Sequence, residues 1–131
     1  MDFVERLKDS INTINLPLKM RTGYLSDKET LVVYPSPGSR VVQQYMDGTK
    51  DVNLNYQIAM KSKDGELINN TLWIIQNYLE ALMSVTSNDN SFEYNGLVIA
   101  NKPFISEADE QGWFVFLLDV TANVTIHEEE L

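Results

Sequence analysis

An acidic cluster just before Gly112 has the clearest capacity for chemistry in this chain: Glu107, Asp109 and Glu110. Carboxylate oxygens at this density could hold a hard cation such as calcium. An EF-hand loop, however, needs acidic or amide ligands at alternate positions before its glycine, and this segment lacks that spacing. We therefore interpret the cluster as a solvated acidic turn that enters the last strand, and we predict no metal site.

Catalytic groups of other kinds have little support. The single histidine, His127, is followed by three glutamates at 128–130, where a frayed terminus is expected and not a precisely held base. The sequence contains no G-x-S-x-G, G-x-x-x-x-G-K-[ST] or G-x-G-x-x-G motif. The absence of cysteine excludes thiol nucleophiles, disulfides and thiolate metal sites. We predict a protein that is not an enzyme and has no cofactor.

The composition is that of a folded protein. The chain has 131 residues, of which 44% are hydrophobic and 22% charged. Those values are ordinary for globular proteins, and a chain of this length can bury a core without a structural metal. No repeat or flexible linker divides the sequence. We predict one domain over residues 1–131, with residues 127–131 as a frayed acidic tail.

Charge and the N-terminal segment limit the partners. Ten basic and 19 acidic residues give a net charge of −9. This charge repels phosphate, so non-specific nucleic-acid binding and docking on an anionic membrane are unfavoured, whereas neutral or basic protein partners fit. The first ten residues contain acids and no continuous apolar run, which argues against a signal peptide or a membrane span and predicts synthesis in the cytoplasm.

The first third of the chain changes from a helical to an alternating pattern. Apolar side chains from Asp2 to Ile14 form one stripe, which predicts an amphipathic helix that Pro17 ends, with Asn12 facing solvent. The segments Lys19–Leu25 and Glu29–Tyr34 predict a short hairpin or paired edge strands. The continuous apolar run 31–33 indicates burial on both faces of the sheet.

A loop rich in proline and glycine separates these segments from a predicted hairpin. Residues 35–39 exclude both helix and regular strand pairing. Arg40–Met46 is typical of a strand, and Asp47-Gly48 favours a tight turn. In the returning strand, apolar residues alternate strictly with Asp51, three amides and Ala59, which predicts one packed face and one asparagine-rich, wet face.

The last half of the chain predicts a long helix and two strands. Asp64 can cap a helix that runs to about Met83. Phe92–Ala100 reads as a strand with a bulge at Asn95-Gly96, and Trp113–Ile126 as a final long strand. The whole pattern predicts an α+β fold, a largely antiparallel mixed sheet with the N-terminal helix and the long central helix on one face, in the order α-β-β-β-β-α-β-β.

Two side chains stand out as possible contacts between subunits. Trp73 projects with Asn69, Asn77 and Glu80, away from the apolar stripe of its helix, so either the N-terminal helix or a loop covers it or it anchors a subunit contact. Arg40 follows a rigid loop in an acid-rich chain and forms an ion pair within the subunit or between subunits. The asparagine-rich face and the ends of the long strands are the two candidate partner surfaces.

Several stretches together carry a resemblance to a known family: Tyr34–Val42, Tyr45–Gly48, Asn69–Trp73, Asn101–Phe104 and Asp109–Trp113. They resemble small proteins of tailed phages and prophages of Gram-positive bacteria that are usually called minor capsid proteins and are thought to act as tail terminators. The resemblance implies a structural protein without enzymatic activity. It implies a ring of six copies that caps the tail tube and joins it to the neck.

The resemblance also implies partners and a location. The partners would be other copies of the chain, the tail tube protein and a neck or head-completion protein, with no membrane. The protein would belong to a virion or a tail-like bacteriocin assembled in the host cytoplasm. If DNA passes through the ring without specific binding, the charge of −9 predicts an acid-lined bore.

The candidate contact residues in such a ring are Trp73, Arg40 and the loop residues Pro35, Ser36, Pro37, Gly38 and Ser39. A closed ring needs two different patches on each subunit. Two alternatives stay open at this point. The chain could be another neck or head–tail adaptor, or a monomeric module that binds a small ligand or peptide, which would need a preformed apolar pocket.

Overall fold

Two helices pack on one face of a six-stranded sheet in the computed structural model, which describes residues 3–82, 84–85 and 92–126. The elements of these residues are α1 (Phe3–Ile11), β1 (Arg21–Thr22), β2 (Thr30–Pro35), β3 (Arg40–Gln44), β4 (Lys50–Ser62), α2 (Gly65–Glu80), β5 (Phe92–Ala108) and β6 (Phe114–Ile126). The predicted α+β class is confirmed. The predicted polar loop at 86–91, His127 and the acidic tail at 127–131 lie outside the described residues.

The sheet is built around β4 and β6. Its strand order is β1-β2-β4-β6-β5, and β3 also pairs with β4. β2 pairs with residues 56–61 of β4 and β3 with residues 50–53, so these two strands lie end to end along the same neighbour. Every pairing is antiparallel except that of β1 with β2. The prediction of a largely antiparallel mixed sheet is therefore confirmed.

The segment that connects α1 to the sheet differs from its prediction. β1 runs parallel to β2, so the two segments are paired edge strands and the hairpin alternative is wrong. α1 ends at Ile11, three residues earlier than predicted, and a turn follows it. The Asn12 side chain does not simply face solvent, because it accepts a hydrogen bond from the Met20 N–H (2.9 Å) and donates one to the Met20 carbonyl (3.0 Å). These bonds secure the chain as it returns to the edge of the sheet.

One core lies between the helices and the sheet. The Asp64 carboxylate accepts a hydrogen bond from the Leu67 N–H at 3.1 Å, so the predicted cap of α2 is confirmed. α2 ends at Glu80, before the predicted Met83, where the Ala81 N–H is shared among the preceding carbonyls and tightens the last turn. The fully buried large side chains of the core include Phe3, Leu7, Ile11, Met20, Leu31, Ile58, Met60, Ile68, Leu72, Ile75, Leu79 and Leu118.

Part of the second sheet face is also covered. Residues 31–33 are at most 1% exposed, which confirms their predicted burial on both faces. Ala59 was expected on the wet face but is completely buried, because Val32 and Leu117 lie directly beside it in the neighbouring strands. The second face is therefore apolar near Ala59 and polar towards the start of β4.

β5 is longer and less regular than its prediction. It continues past Ala100 to Ala108, and its register against β6 shifts at four points, including the predicted bulge between Tyr94 and Gly96. Alternation is lost after Ala100, which is why the sequence pattern ends there. Within the described part of the chain, neither helix has the length and apolar character needed to cross a bilayer.

The buried phenol of Tyr56 predicts a loss of stability at alkaline pH. Burial raises the pKa of Tyr56 from 10.0 to about 12, so the fold favours the neutral phenol. The pKa of Tyr56 is higher in the folded than in the unfolded protein. The neutral phenol therefore contributes its full share to the free energy of unfolding below pH 10, and this share is lost as the pH rises towards 12. The difference between the two pKa values limits the loss to about 3 kcal/mol. Denaturant unfolding from pH 8 to 12 should show a smaller alkaline loss for Tyr56→Phe than for the wild type.

Tyr24→Phe is the matched control, because the Tyr24 side chain is 85% exposed. Its unfolding free energy should follow the wild-type pH dependence. Equal alkaline losses in wild type, Tyr56→Phe and Tyr24→Phe would show that the Tyr56 phenol has no such role.

Candidate functional site

The sheet surface opposite the helices, formed by residues 51–57 of β4 and 119–125 of β6, is a lattice of hydrogen-bonded side chains that we call the polar face. Residues that the β4–β6 register places opposite each other bond directly. Asn123 donates to Asn53 at 2.9 Å, Thr121 to Asn55 at 2.8 Å, Gln57 to Asp119 at 2.8 Å and Thr125 to Asp51 at 2.6 Å. These four hydrogen-bonded pairs hold the polar side chains in fixed positions.

The lattice continues onto the neighbouring strands. The Asn95 amide at the β5 bulge donates to Asn123 and Thr125, both at 2.9 Å. Asn101 donates to Asp119 at 2.8 Å, and the Tyr34 hydroxyl of β2 donates to Gln57. Burial, followed by the Asp119 charge, raises the pKa of Tyr34. The sequence predicted a wet, asparagine-rich face, but the network depends on the register and was not predicted.

Asn55 also fixes the loop of prolines and glycine. Its side-chain amide donates to the Pro37 carbonyl at 3.0 Å, and its backbone N–H donates to the Ser39 hydroxyl at 3.0 Å. The Ser36 N–H donates to the Asn55 carbonyl at 2.9 Å. Gly38 has φ +102°, and a Cβ there would lie 2.6 Å from the Asn55 amide nitrogen. Pro35 was expected in the loop but is the last residue of β2, where it pairs with Tyr56, so the loop begins at Ser36. Of the predicted contact residues, Pro35, Pro37, Gly38 and Ser39 are exposed and Ser36 is half-buried.

The hairpin of β3 and β4 exposes apolar side chains. Every residue of β3 is exposed, and Arg40 at its start makes no ion pair with any described residue. We call residues 45–49 the hairpin tip, where Met46 is fully exposed and the Tyr45 hydroxyl donates to Asp51 at 2.7 Å. Hydrogen bonds from Thr125 and Tyr45 lower the pKa of Asp51. The hydrogen bond between Tyr45 and Asp51 thus fixes the hairpin tip, and the Met46 side chain remains exposed to solvent.

Trp73 lies on the other side of the molecule from Arg40. It is half-buried, and the ammonium of Lys102 on β5 stands 5.8 Å from the centre of its ring, within the range of a cation–π contact. This contact joins the indole on α2 to a residue of the sheet. The predicted contact residues do not form one site, because Arg40 and the loop lie beside β3 and Trp73 lies beside β5.

The acidic cluster forms a closed turn at the end of the sheet opposite the hairpin tip. The Asp109 carboxylate accepts hydrogen bonds from the N–H groups of Gln111 and Trp113, both at 2.9 Å. Glu107 and Glu110 are exposed. Among the described residues, no group of three side chains is placed to hold a metal ion. Asp109 and Glu110 lie in an exposed acidic turn, residues 109–112, that leads into β6, as expected, whereas Glu107 belongs to β5.

The cavities of the polar face are open depressions. One of about 310 Å³ lies between the loop and β5 and is lined by Ser36, Asn55, Gln57, Asn101 and Asp119 among others. Another of about 460 Å³ is lined by Asn53, Gly96, Val98 and Asn123 among others. A pocket for a small apolar ligand is enclosed and mainly apolar. Both depressions are open to solvent, so neither is an enclosed pocket of that kind.

The bonds of Asn55 predict a selective change in proteolysis. Asn55→Ala removes the side-chain bond to Pro37, so the loop should open more often and trypsin should cut after Arg40 about fivefold faster, the factor expected for one lost hydrogen bond. Asn123→Ala is the matched control, since Asn123 bonds Asn53 on the same face but lies on β6, one strand farther from the loop. Mass spectrometry of the first fragments gives both rates. Equal cleavage of the two variants would contradict this role of Asn55.

The match to a known protein family covers the whole sheet and is not confined to one cluster of residues. A search of curated proteins finds no significant match. A family model described as bacteriophage tail terminator protein matches residues 9–126. This span contains all six described strands and α2, and therefore the polar face, the loop and both ends of the sheet. The chain belongs to the bacteriophage tail terminator protein family.

Proposed function

We propose that this protein is one subunit of a ring that caps the tail tube of a phage or tail-like particle, stops tube polymerisation and joins the tail to the neck. The family match over residues 9–126 carries the proposal, because it establishes a structural part in the phage tail and contact with other tail components. A structural family of this kind indicates that binding, and not bond chemistry, is the function. Assembly takes place in the cytoplasm of the bacterial host.

Two different sides of the subunit support a ring. A closed cyclic assembly joins each copy to the next through unlike patches, since a self-complementary patch would give only a dimer. Arg40 and residues 35–39 lie on one side of the sheet, and Trp73 with Lys102 lies on the other. We take these as the two lateral patches, and the family resemblance favours six copies.

Two different ends of the sheet support a cap. The hairpin tip, with exposed Tyr45 and Met46, adjoins the ends of β4 and β6 at residues 50 and 126. The acidic turn adjoins the opposite ends of the same strands, at residues 62 and 114. A cap needs one surface for the last ring of the tube and another for the neck. The two ends meet this need because they differ: one carries the exposed Met46, and the other carries the acidic turn together with Lys61 and Lys63, which lie over Trp113. The hairpin tip contacts one of the two partners.

The polar face suits the wall of a channel. Its side chains over residues 51–57 and 119–125 are amides, hydroxyls and the carboxylates Asp51 and Asp119, and basic residues are absent from both segments. Side chains that already bond each other offer DNA few free donors, and the carboxylates repel its phosphates. We propose that this face lines the bore, which is then weakly acidic. A bore lined by basic side chains would contradict this part of the proposal.

The capping function can be tested by deleting the gene for this protein from the phage, or from the genes of the tail-like particle. Without a cap, tubes should exceed the normal length and remain unjoined to heads, and the wild-type gene supplied in trans should restore uniform tubes. Electron microscopy of the lysate measures tube length directly. Tubes of normal, uniform length in the deletion strain would contradict the capping function.

Met46→Asp tests the hairpin tip in the same strain. The Met46 side chain is fully exposed, so its substitution should not lower the stability of the subunit. A charge within an apolar contact should reduce the fraction of tubes of normal length about tenfold or more. Asn15→Asp adds the same charge at an exposed position after α1 and should restore tubes like the wild type. Full restoration by Met46→Asp would exclude the hairpin tip as a contact.

A further inference from the structure

Two edges of the sheet have no strand beside them within the described residues. β3 pairs only with β4 and is exposed along its whole length, and β5 pairs only with β6. Each edge therefore presents a row of backbone N–H and C=O groups that can pair with another strand. In a monomer such edges are usually short, charged, bulged or interrupted by proline. β3 is short, and its register against β4 shifts between Val41 and Gln43.

The two edges have compatible directions. The three successive pairings β3–β4, β4–β6 and β6–β5 are all antiparallel, so β3 and β5 run in opposite directions. If a second copy continues the sheet sideways, its β3 meets β5 of the first copy as an antiparallel pair. Antiparallel pairing is the slightly more stable arrangement.

The regular part of β5 lies level with β3. In the register of the sheet, Arg40 pairs with Asn53, Asn53 with Asn123, and Asn123 with Gly96. Only one of the four register shifts of β5 lies before Ile99, and the other three lie between Ile99 and Glu107. The irregular part also contains Lys102-Pro103, which opposes strand pairing. The stretch Phe92–Ile99 is thus the part of β5 that can accept a neighbouring strand.

The charges of the two edges are opposite. The charged residue of β3 is Arg40. The charged residue of β5 within residues 92–99 is Glu93. Two copies of a chain with a net charge of −9 repel each other overall, but this distribution favours the approach of one edge to the other.

Apolar side chains are exposed on both edges. Val41 and Val42 of β3 are 52% and 55% exposed, and Val98 of β5 is 63% exposed. Burial of these side chains in a contact would add a hydrophobic term to the backbone hydrogen bonds. Both edges therefore offer the same three features: unpaired backbone, exposed valine and a complementary charge.

We propose that β3 of one copy pairs antiparallel with residues 92–99 of β5 of the next copy, so that the sheet continues from subunit to subunit around the ring. The occupant of each edge is a second copy of this chain, and the contact is heterologous because the two edges differ. The inference rests on the proposed ring and specifies its lateral contact. The helices then lie on one side of the continuous sheet and the polar face on the other.

Cross-linking in assembled tails tests this contact. The chain contains no cysteine, so introduced thiols are its only thiols. Gln43 and Val98 lie opposite Asp51 and Thr121 and so point to the same face from the two edges. Tails from the deletion strain complemented with Gln43→Cys/Val98→Cys, treated with a short bis-maleimide and probed for this chain, should give a ladder of its multiples that ends at the closed ring.

The controls separate the possible outcomes. Each single variant and Gln43→Cys/Asn15→Cys should stay monomeric. Uniform, capped tubes without a ladder would overturn the edge contact and leave the proposed function intact, and dimers of the single variants would show a self-complementary contact instead. Failure of the wild-type gene to restore tubes would count against the proposed function itself.

A measurement on the wild-type chain does not depend on any substitution. Backbone amides of residues 40–44 and 92–99 should exchange with solvent at least about tenfold more slowly in purified tails than in the isolated protein. Unchanged exchange in both segments would overturn the proposal.

Discussion

The thirteen-residue antiparallel pairing of β4 with β6 is the interaction on which the rest of the structure depends. Its register places apolar side chains on one face, where both helices pack, and polar side chains on the other. A slip of one residue would exchange the two faces and bury the amides. The hydrogen bonds between opposite polar residues, such as Asn53 with Asn123, add a second set of contacts that only the correct register can form.

The same pairing separates three kinds of surface. One face of the central strands packs against the helices. On the other face, the polar side chains form hydrogen bonds with each other. Exposed apolar side chains lie at a strand end and at an edge of the sheet, with Met46 and Val98 as examples. For a member of the tail terminator family, ends that differ can serve the tube and the neck, and edges that differ can serve the neighbouring copies.

Elements with a strong local pattern could be predicted from the sequence. The alternation of β4 as far as Gln57, the cap at Asp64 and the buried run 31–33 agree with the structure because each depends on nearby residues. The early end of α1 and the parallel β1 could not be predicted, since the Asn12–Met20 bonds join segments that the pattern treats separately. The loop was predicted as a contact, but its attachment to Asn55 requires the folded sheet.

The central claim is that copies of this chain form a ring with the polar face towards the bore and the helices outside. A cryo-electron microscopy reconstruction of the tail end that carries this protein tests the claim most directly. The account predicts that the side chains around Asn55 and Asp119 face the channel and that α1 and α2 lie on the outer surface. A map in which the helices line the channel, or in which the chain is bound as isolated monomers, would contradict it.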